Sequence, residues 1–163
     1  TESGKAMSLA GFSTSATVTA SSVWIPAGAS EPPSPPQRLV DRKARNDSLE
    51  VVWVAAGREN ESAVLHWPIP VEVSRFVLYG IRPNRARGTD LRVESCRITL
   101  FRRDKIAARI DDTGQVLPDG TEIQLPPTEI DSAKVEIVRA RGRVNRLRVV
   151  GLAELETIAR LVQ

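Results

Sequence analysis

The stretch "LRVVGLAELETIARLVQ", Leu147 to Gln163, decides the fold, because it reads in two incompatible ways. From Leu152 onward, Leu152, Leu155, Ala159 and Val162 fall at helical spacing, which describes an amphipathic C-terminal helix. From Leu147 to Leu155, however, the odd positions (Leu147, Val149, Gly151, Ala153, Leu155) are apolar or small, while Arg146, Arg148, Glu154 and Glu156 occupy even ones. That is the two-residue period of a half-buried strand. The rest of the chain arbitrates.

Upstream of it run "TVTASSV" (Thr17 to Val23), a strand around Glu50 to Ala55, and "SAVLHWPIPVEVSRFVLYGI", two strand-like runs with "WPIP" at their junction. "CRITLFR" (Cys96 to Arg102), "KIAARI", "TEIQLP", "AKVEIVRA" and "NRLRVVG" continue the series. Each is short, rich in Val, Ile, Leu and Thr, and bounded by turn chemistry such as "RGTD", "DDTG", "LPDG" and "RGR". "PAGASEPPSPPQ" (Pro26 to Gln37) carries too many prolines for helix or central strand and reads as a long extended surface loop. Roughly eight or nine short strands, with no convincing helix before the C-terminus, predict an all-β sandwich or barrel. "LRVVGLAEL" is then the strand that returns to pair near the first. Gly151 marks a bulge or a close backbone approach, and only "ETIARLVQ" is left for a short helical tail.

At 163 residues the chain fits one domain and needs no staples to fold. Residues 1 to 15, small and polar without a period, read as a flexible N-terminal arm, and residues 16 to 163 as a single β-sandwich domain. The lone Cys96 excludes an internal disulfide framework. No apolar run approaches the roughly 18 to 20 residues of a membrane span, and the opening lacks the apolar core of a signal peptide. The formal charge of +3 permits nucleic acid binding without arguing for it, and the 4% aromatic content argues against stacking platforms.

The order of these features resembles the galactose-binding-like, discoidin (factor V/VIII type C) family of jelly-roll β-sandwiches. "ATVTASSV" (Ala16 to Val23) is similar to that family's opening strand, and "RLVD" (Arg38 to Asp41) followed by Trp53 to its turn-and-tryptophan segment. "LHWPIPVEVSRFVLYGI" (Leu65 to Ile81) resembles its central strand pair, and "LRVVGLAELETI" (Leu147 to Ile158) its closing strand. The resemblance spans nearly the whole chain. It implies a binding module whose ligands are held by loops at one end of a rigid sandwich, and it favours a secreted or cell-surface location. It also implies a structural calcium ion held by Asp41 and Glu154, with Asn46, Asp47 or Ser48 assisting; hard oxygen ligands are what calcium requires. The family's Asp-Gly turn is here Asp41-Arg42, and the interval from Asp41 to Trp53 is longer than usual. The alternative for these two acids is a solvated turn acid and a strand-edge acid.

Nothing in the sequence composes a catalytic site. No G-x-S-x-G, P-loop, G-x-G-x-x-G or C-x-x-C pattern occurs. The single histidine, His66, sits in a strand between Leu65 and Trp67, Cys96 begins another as a small core or edge residue, and Asp111-Asp112 beside Thr113-Gly114 reads as a turn. Binding has better support. "GIRPNRARGTD" (Gly80 to Asp90) is a polar loop between strands carrying Arg82, Asn84, Arg85 and Arg87, fork-shaped donors and an amide suited to sugar hydroxyls, carboxylates or sulfates. Trp24, just past the first strand, is either a stacking ring for a sugar face or a core or rim tryptophan; Trp53 and Trp67 read as packing. "RARGRVNRLR" (Arg139 to Arg148) reads as a turn around Gly142 whose flanking arginines line one hairpin face, as a positive stripe or as a guard against edge aggregation. Asn46-Asp47-Ser48 and Asn60-Glu61-Ser62 match the glycosylation sequon.

The expected function is therefore non-catalytic binding, of a glycan as part of a larger protein or in cell-surface adhesion. The alternative is a protein-protein assembly module on the same fold, with nucleic acid a distant third.

Overall fold

A computed structural model describes residues 16–31, 34–40, 53–57, 60–144 and 149–162, with the backbone alone at 87, 142 and 143. Eight antiparallel strands follow one another: β1 (Thr17–Ala20), β2 (Trp53–Ala55), β3 (Glu61–Tyr79), β4 (Thr89–Arg102), β5 (Lys105–Ile110), β6 (Thr121–Val144), β7 (Val150–Leu152) and β8 (Glu154–Leu161). Five lie side by side in the order β1-β3-β6-β4-β5, β8 also pairs with β3, and β2 with β7 forms a separate two-stranded ribbon. The ribbon packs across the large sheet, β7 against β4 and β6. Between them lies one apolar core that includes Trp53, Leu65, Trp67, Phe76, Ile98, Leu100, Ile137 and Leu152. Trp53 and Trp67 are packing residues, as their strand positions imply, and Cys96 is buried among them.

The long strands replace several short runs expected from the sequence. β3 is one strand through "WPIP", with a break in its register to β6 between His66 and Val71 where the two prolines withhold their amide donors. β6 likewise joins "TEIQLP" to "AKVEIVRA". Its partners slip between Val73↔Thr128 and Arg75↔Gln124, leaving Leu125, Pro126 and Pro127 to bulge. The same slip shows in the burial of β3, which passes from Val71 and Val73 to Phe76 and Leu78. β4 changes phase from Val93 to Cys96 at its own irregularity.

Glu154–Leu161 is strand, so the helical tail expected at "ETIARLVQ" is overturned. β8 pairs with β3 from Tyr79↔Glu154 to Val71↔Leu161, turning Leu155, Thr157 and Ala159 inward. The single strand expected at "LRVVGLAEL" instead breaks at Ala153 into β7 and β8. Gly151 is a close approach: a Cβ there would run into the carbonyl of Trp53 on the paired strand. β8 does return beside the first strand, since β1 pairs with β3 at Ala63 to His66 while β8 takes the stretch from Val71.

Two further expectations change. Gly142 is not at a turn but inside β6, opposite Leu91 of β4. The proline-rich segment is not surface loop to its end: Pro36–Val40 forms a short 3-10 turn that buries Pro36, Leu39 and Val40, and Ser34 before it is buried too. A proline opens such a turn readily because the first N–H of a helix has no internal partner. The arm expected at residues 1 to 15, the sequon at Asn46, and Asp41, Asp47 and Ser48 lie outside the described residues.

Candidate functional site

At the C-terminal end of β3 the chain meets the segment between β5 and β6. Gly80 donates its N–H to the carbonyl of Leu117 at 3.0 Å, and a Cβ on Gly80 would stand 2.6 Å from the carbonyl of Val116. Only glycine allows that contact. Beyond it, Asp119 at the tip of the second segment accepts a hydrogen bond from Arg82 Nη2 at 2.8 Å. Two loops that are remote in sequence are thus joined by backbone and by charge.

The Gly80 loop then closes on itself. Asn84 N–H donates to the Thr89 carbonyl at 2.7 Å and Thr89 N–H returns to the Asn84 carbonyl at 2.9 Å, enclosing the 3-10 turn Arg85–Arg87. Arg82 and Arg85 are exposed and Asn84 is half-buried. Asp90 beyond the turn is held by the fork of Arg92, with both oxygens receiving hydrogen bonds at 2.9 Å.

A second apolar cluster of Val54, Ile81, Leu91, Val144, Val149 and Ala153 carries this end of the sandwich, and Trp24 and Tyr79 pack against it. Trp24 is half-buried, and its N–H donates to the Val54 carbonyl at 2.9 Å. Trp24 and the loop that begins at Ile81 therefore rest on one support. The structure gathers Trp24, Arg82, Asn84, Arg85 and the backbone of Arg87 at this end, and adds Asp119. Nothing local in the sequence marks Asp119 beyond a turn at "LPDG", because its contact lies 37 residues away.

Glu154, the acid that the resemblance joined to Asp41, sits on the edge strand β8 but is not solvated. It lies on the outward-facing row of β8 with Glu156 and Arg160, yet is only 4% exposed. The 3-10 turn Pro36–Val40 packs on β8 and leads directly into Asp41. A buried carboxylate at that place is an oxygen donor of the kind calcium takes. Among the described residues no group of three or more His, Cys, Asp or Glu is placed to hold a metal ion.

The remaining candidates resolve into structural roles or countered charge. Asp112 accepts from Ser95 Oγ at 2.6 Å and from the N–H of Gly114 at 2.8 Å, which hold its carboxyl below the usual range, while Asp111 pairs with Arg109 at 2.7 Å. They form the turn that the sequence indicated. His66 is exposed on β3, opposite Thr17 and in the half of the strand away from the Gly80 loop. Along the basic stripe, Arg141 pairs with Glu94 at 2.9 Å and Arg139 faces Asp112 at 3.9 Å; residues 145 to 148 lie outside the described residues.

No family model matches the chain, and no curated protein matches it by sequence. Solved structures do match its fold. A family 32 carbohydrate-binding module from Clostridium perfringens in complex with galactose superposes with a TM-score of 0.69 at 11% identity, covering 94% of this chain and 99% of that one. A fucose-binding module from Streptococcus pneumoniae gives 0.68 at 13% identity over 95% and 96% of the two chains. The lectin domain of lectinolysin complexed with Lewis b antigen gives 0.63 at 18% identity over 87% and 91%. The chain has the jelly-roll fold of these modules, as the resemblance implied.

Proposed function

We propose that this chain is a non-catalytic glycan-binding module whose ligand lies on the Gly80 to Asp90 loop, between Trp24 and the Arg82–Asp119 pair. The observation that carries the reading is that pair. A guanidinium fixed to a carboxylate across two loops offers donors and acceptors at fixed spacing, which suits adjacent sugar hydroxyls, and Trp24 on the same apolar support offers a ring face for the sugar's C–H groups. The fold shared with a fucose-binding module and with modules in complex with galactose and Lewis b supports it.

A glycan array followed by titration calorimetry tests it. The expected result is retention of a subset of glycans, with affinity lost in Arg82→Ala and in Trp24→Ala and unchanged in His66→Ala. Retention of no glycan at millimolar concentration would overturn it. The same reading includes a structural calcium ion held by Glu154 and Asp41. Chelator is then expected to lower the thermal midpoint of the protein and to leave that of Glu154→Gln unmoved; an unchanged midpoint in the unsubstituted protein removes the metal.

A further inference from the structure

We infer that the sugar taken at the Gly80 to Asp90 loop is anionic, bearing a carboxylate or a sulfate. This inference rests on the glycan-binding reading above and narrows it. Charge bookkeeping at this end of the sandwich leads there. Arg82 is matched by Asp119 at 2.8 Å and Asp90 by the two-pronged contact with Arg92. Arg85, by contrast, is exposed at the head of the 3-10 turn and has no ion-pair partner among the described residues. Most other surface arginines among the described residues pair with acids: Arg75 with Glu122, Arg97 and Arg109 with Asp111, Arg102 with Glu129 and Asp131, Arg141 with Glu94, with Arg103 in the turn after β4 the exception.

The aromatic supply points the same way. Neutral sugars are commonly held by stacking on ring faces. The two joined segments, residues 80 to 90 and 111 to 120, contain no aromatic residue, and the two rings beside them, Trp24 and Tyr79, are half-buried against the apolar cluster. Recognition here must draw on charge-assisted hydrogen bonds, which are roughly twice as strong as neutral ones and match planar or tetrahedral anions through the guanidinium fork. An incoming carboxylate or sulfate meets the unmatched Arg85 while the sugar's hydroxyls meet Arg82 and Asp119.

The test is calorimetric titration of the whole chain with three probes: an oligogalacturonate, a sulfated galactan and neutral galactose or fucose. The two anionic probes distinguish carboxylate from sulfate. At least one is expected to bind about tenfold or more tighter than the neutral sugars, with the advantage shrinking as salt rises. Arg85→Gln should remove that advantage, and Arg85→Lys should restore part of it. Neutral sugars binding as well as the anionic ones, or an anionic preference that survives Arg85→Gln, would overturn the inference and leave the glycan reading standing. Failure of every probe to bind would overturn the inference, and the glycan reading too only if the array also retains no glycan.

Discussion

Tyr79 owes its chemistry to burial and to Glu156, a residue that no local pattern connects to it. It ends β3, packs on the second apolar cluster, and donates its hydroxyl to Glu156 of β8 at 2.9 Å. Burial first, then the hydrogen bond to that carboxylate and its charge, push the phenol up to about 12. The folded state thus favours the neutral phenol. That contribution to stability is whole below the ordinary phenol pKa of about 10 and is lost as pH rises through about 12. Because the chain has a single tyrosine, phenolate absorbance followed against pH reports it alone. The midpoint is expected near 12 in the folded protein, and lower in Glu156→Gln. At this scale the sequence is legible where a residue's role is local. Trp53 and Trp67 announce themselves by strand position, whereas Asp119 and Glu156 do not, because each acts on a partner far along the chain.

Among the elements, the misread tail has a physical cause. Leu152 and Leu155 lie on different strands, and the break at Ala153 resets the alternation, so a spacing of three arises at a strand junction and imitates a helical turn. The bulges in β3 and β4 have the same effect on the apolar pattern, and the sequence alone divides these strands into short pieces. What it does show is strand character, since every run rich in β-branched residues that falls within the described residues is extended. The contact between the segment after β3 and the segment before β6 is tested at Gly80. Gly80→Ala forces a methyl against the Val116 carbonyl. Overpacking of this kind costs about 1 to 3 kcal/mol, measurable as a lower denaturant midpoint. Because the two segments separate, the Arg82–Asp119 pair loosens and glycan affinity falls with it.

For the whole molecule, the buried thiol is a reporter of cooperativity. Cys96 is the chain's one cysteine, lies in the core between β4 and its neighbours, and burial pushes its pKa up to about 12. Reaction requires the thiolate and access to it. Alkylation of the native protein at neutral pH is therefore expected to proceed only as fast as the sandwich opens, and to accelerate sharply at the denaturant midpoint found by fluorescence. Labelling well below that midpoint would show that β4 opens separately from the rest. The all-β sandwich was legible from the succession of strands, and its jelly-roll form from the resemblance; that β1 and β8 divide one side of β3 between them was not, because pairing partners are set by the sheet as a whole.

That division has a mechanical consequence. Thr17 at the start of β1 lies opposite His66, and Leu161 at the end of β8 lies opposite Val71, so these two strand ends meet β3 at nearly the same point. Tension drawn through both ends arrives at that one point and peels the two outer strands away in opposite directions, each hydrogen bond breaking in turn. A sandwich attached in this way yields to force by unzipping from its middle, while the loop end that carries Arg82 and Asp119 is the last to feel the load.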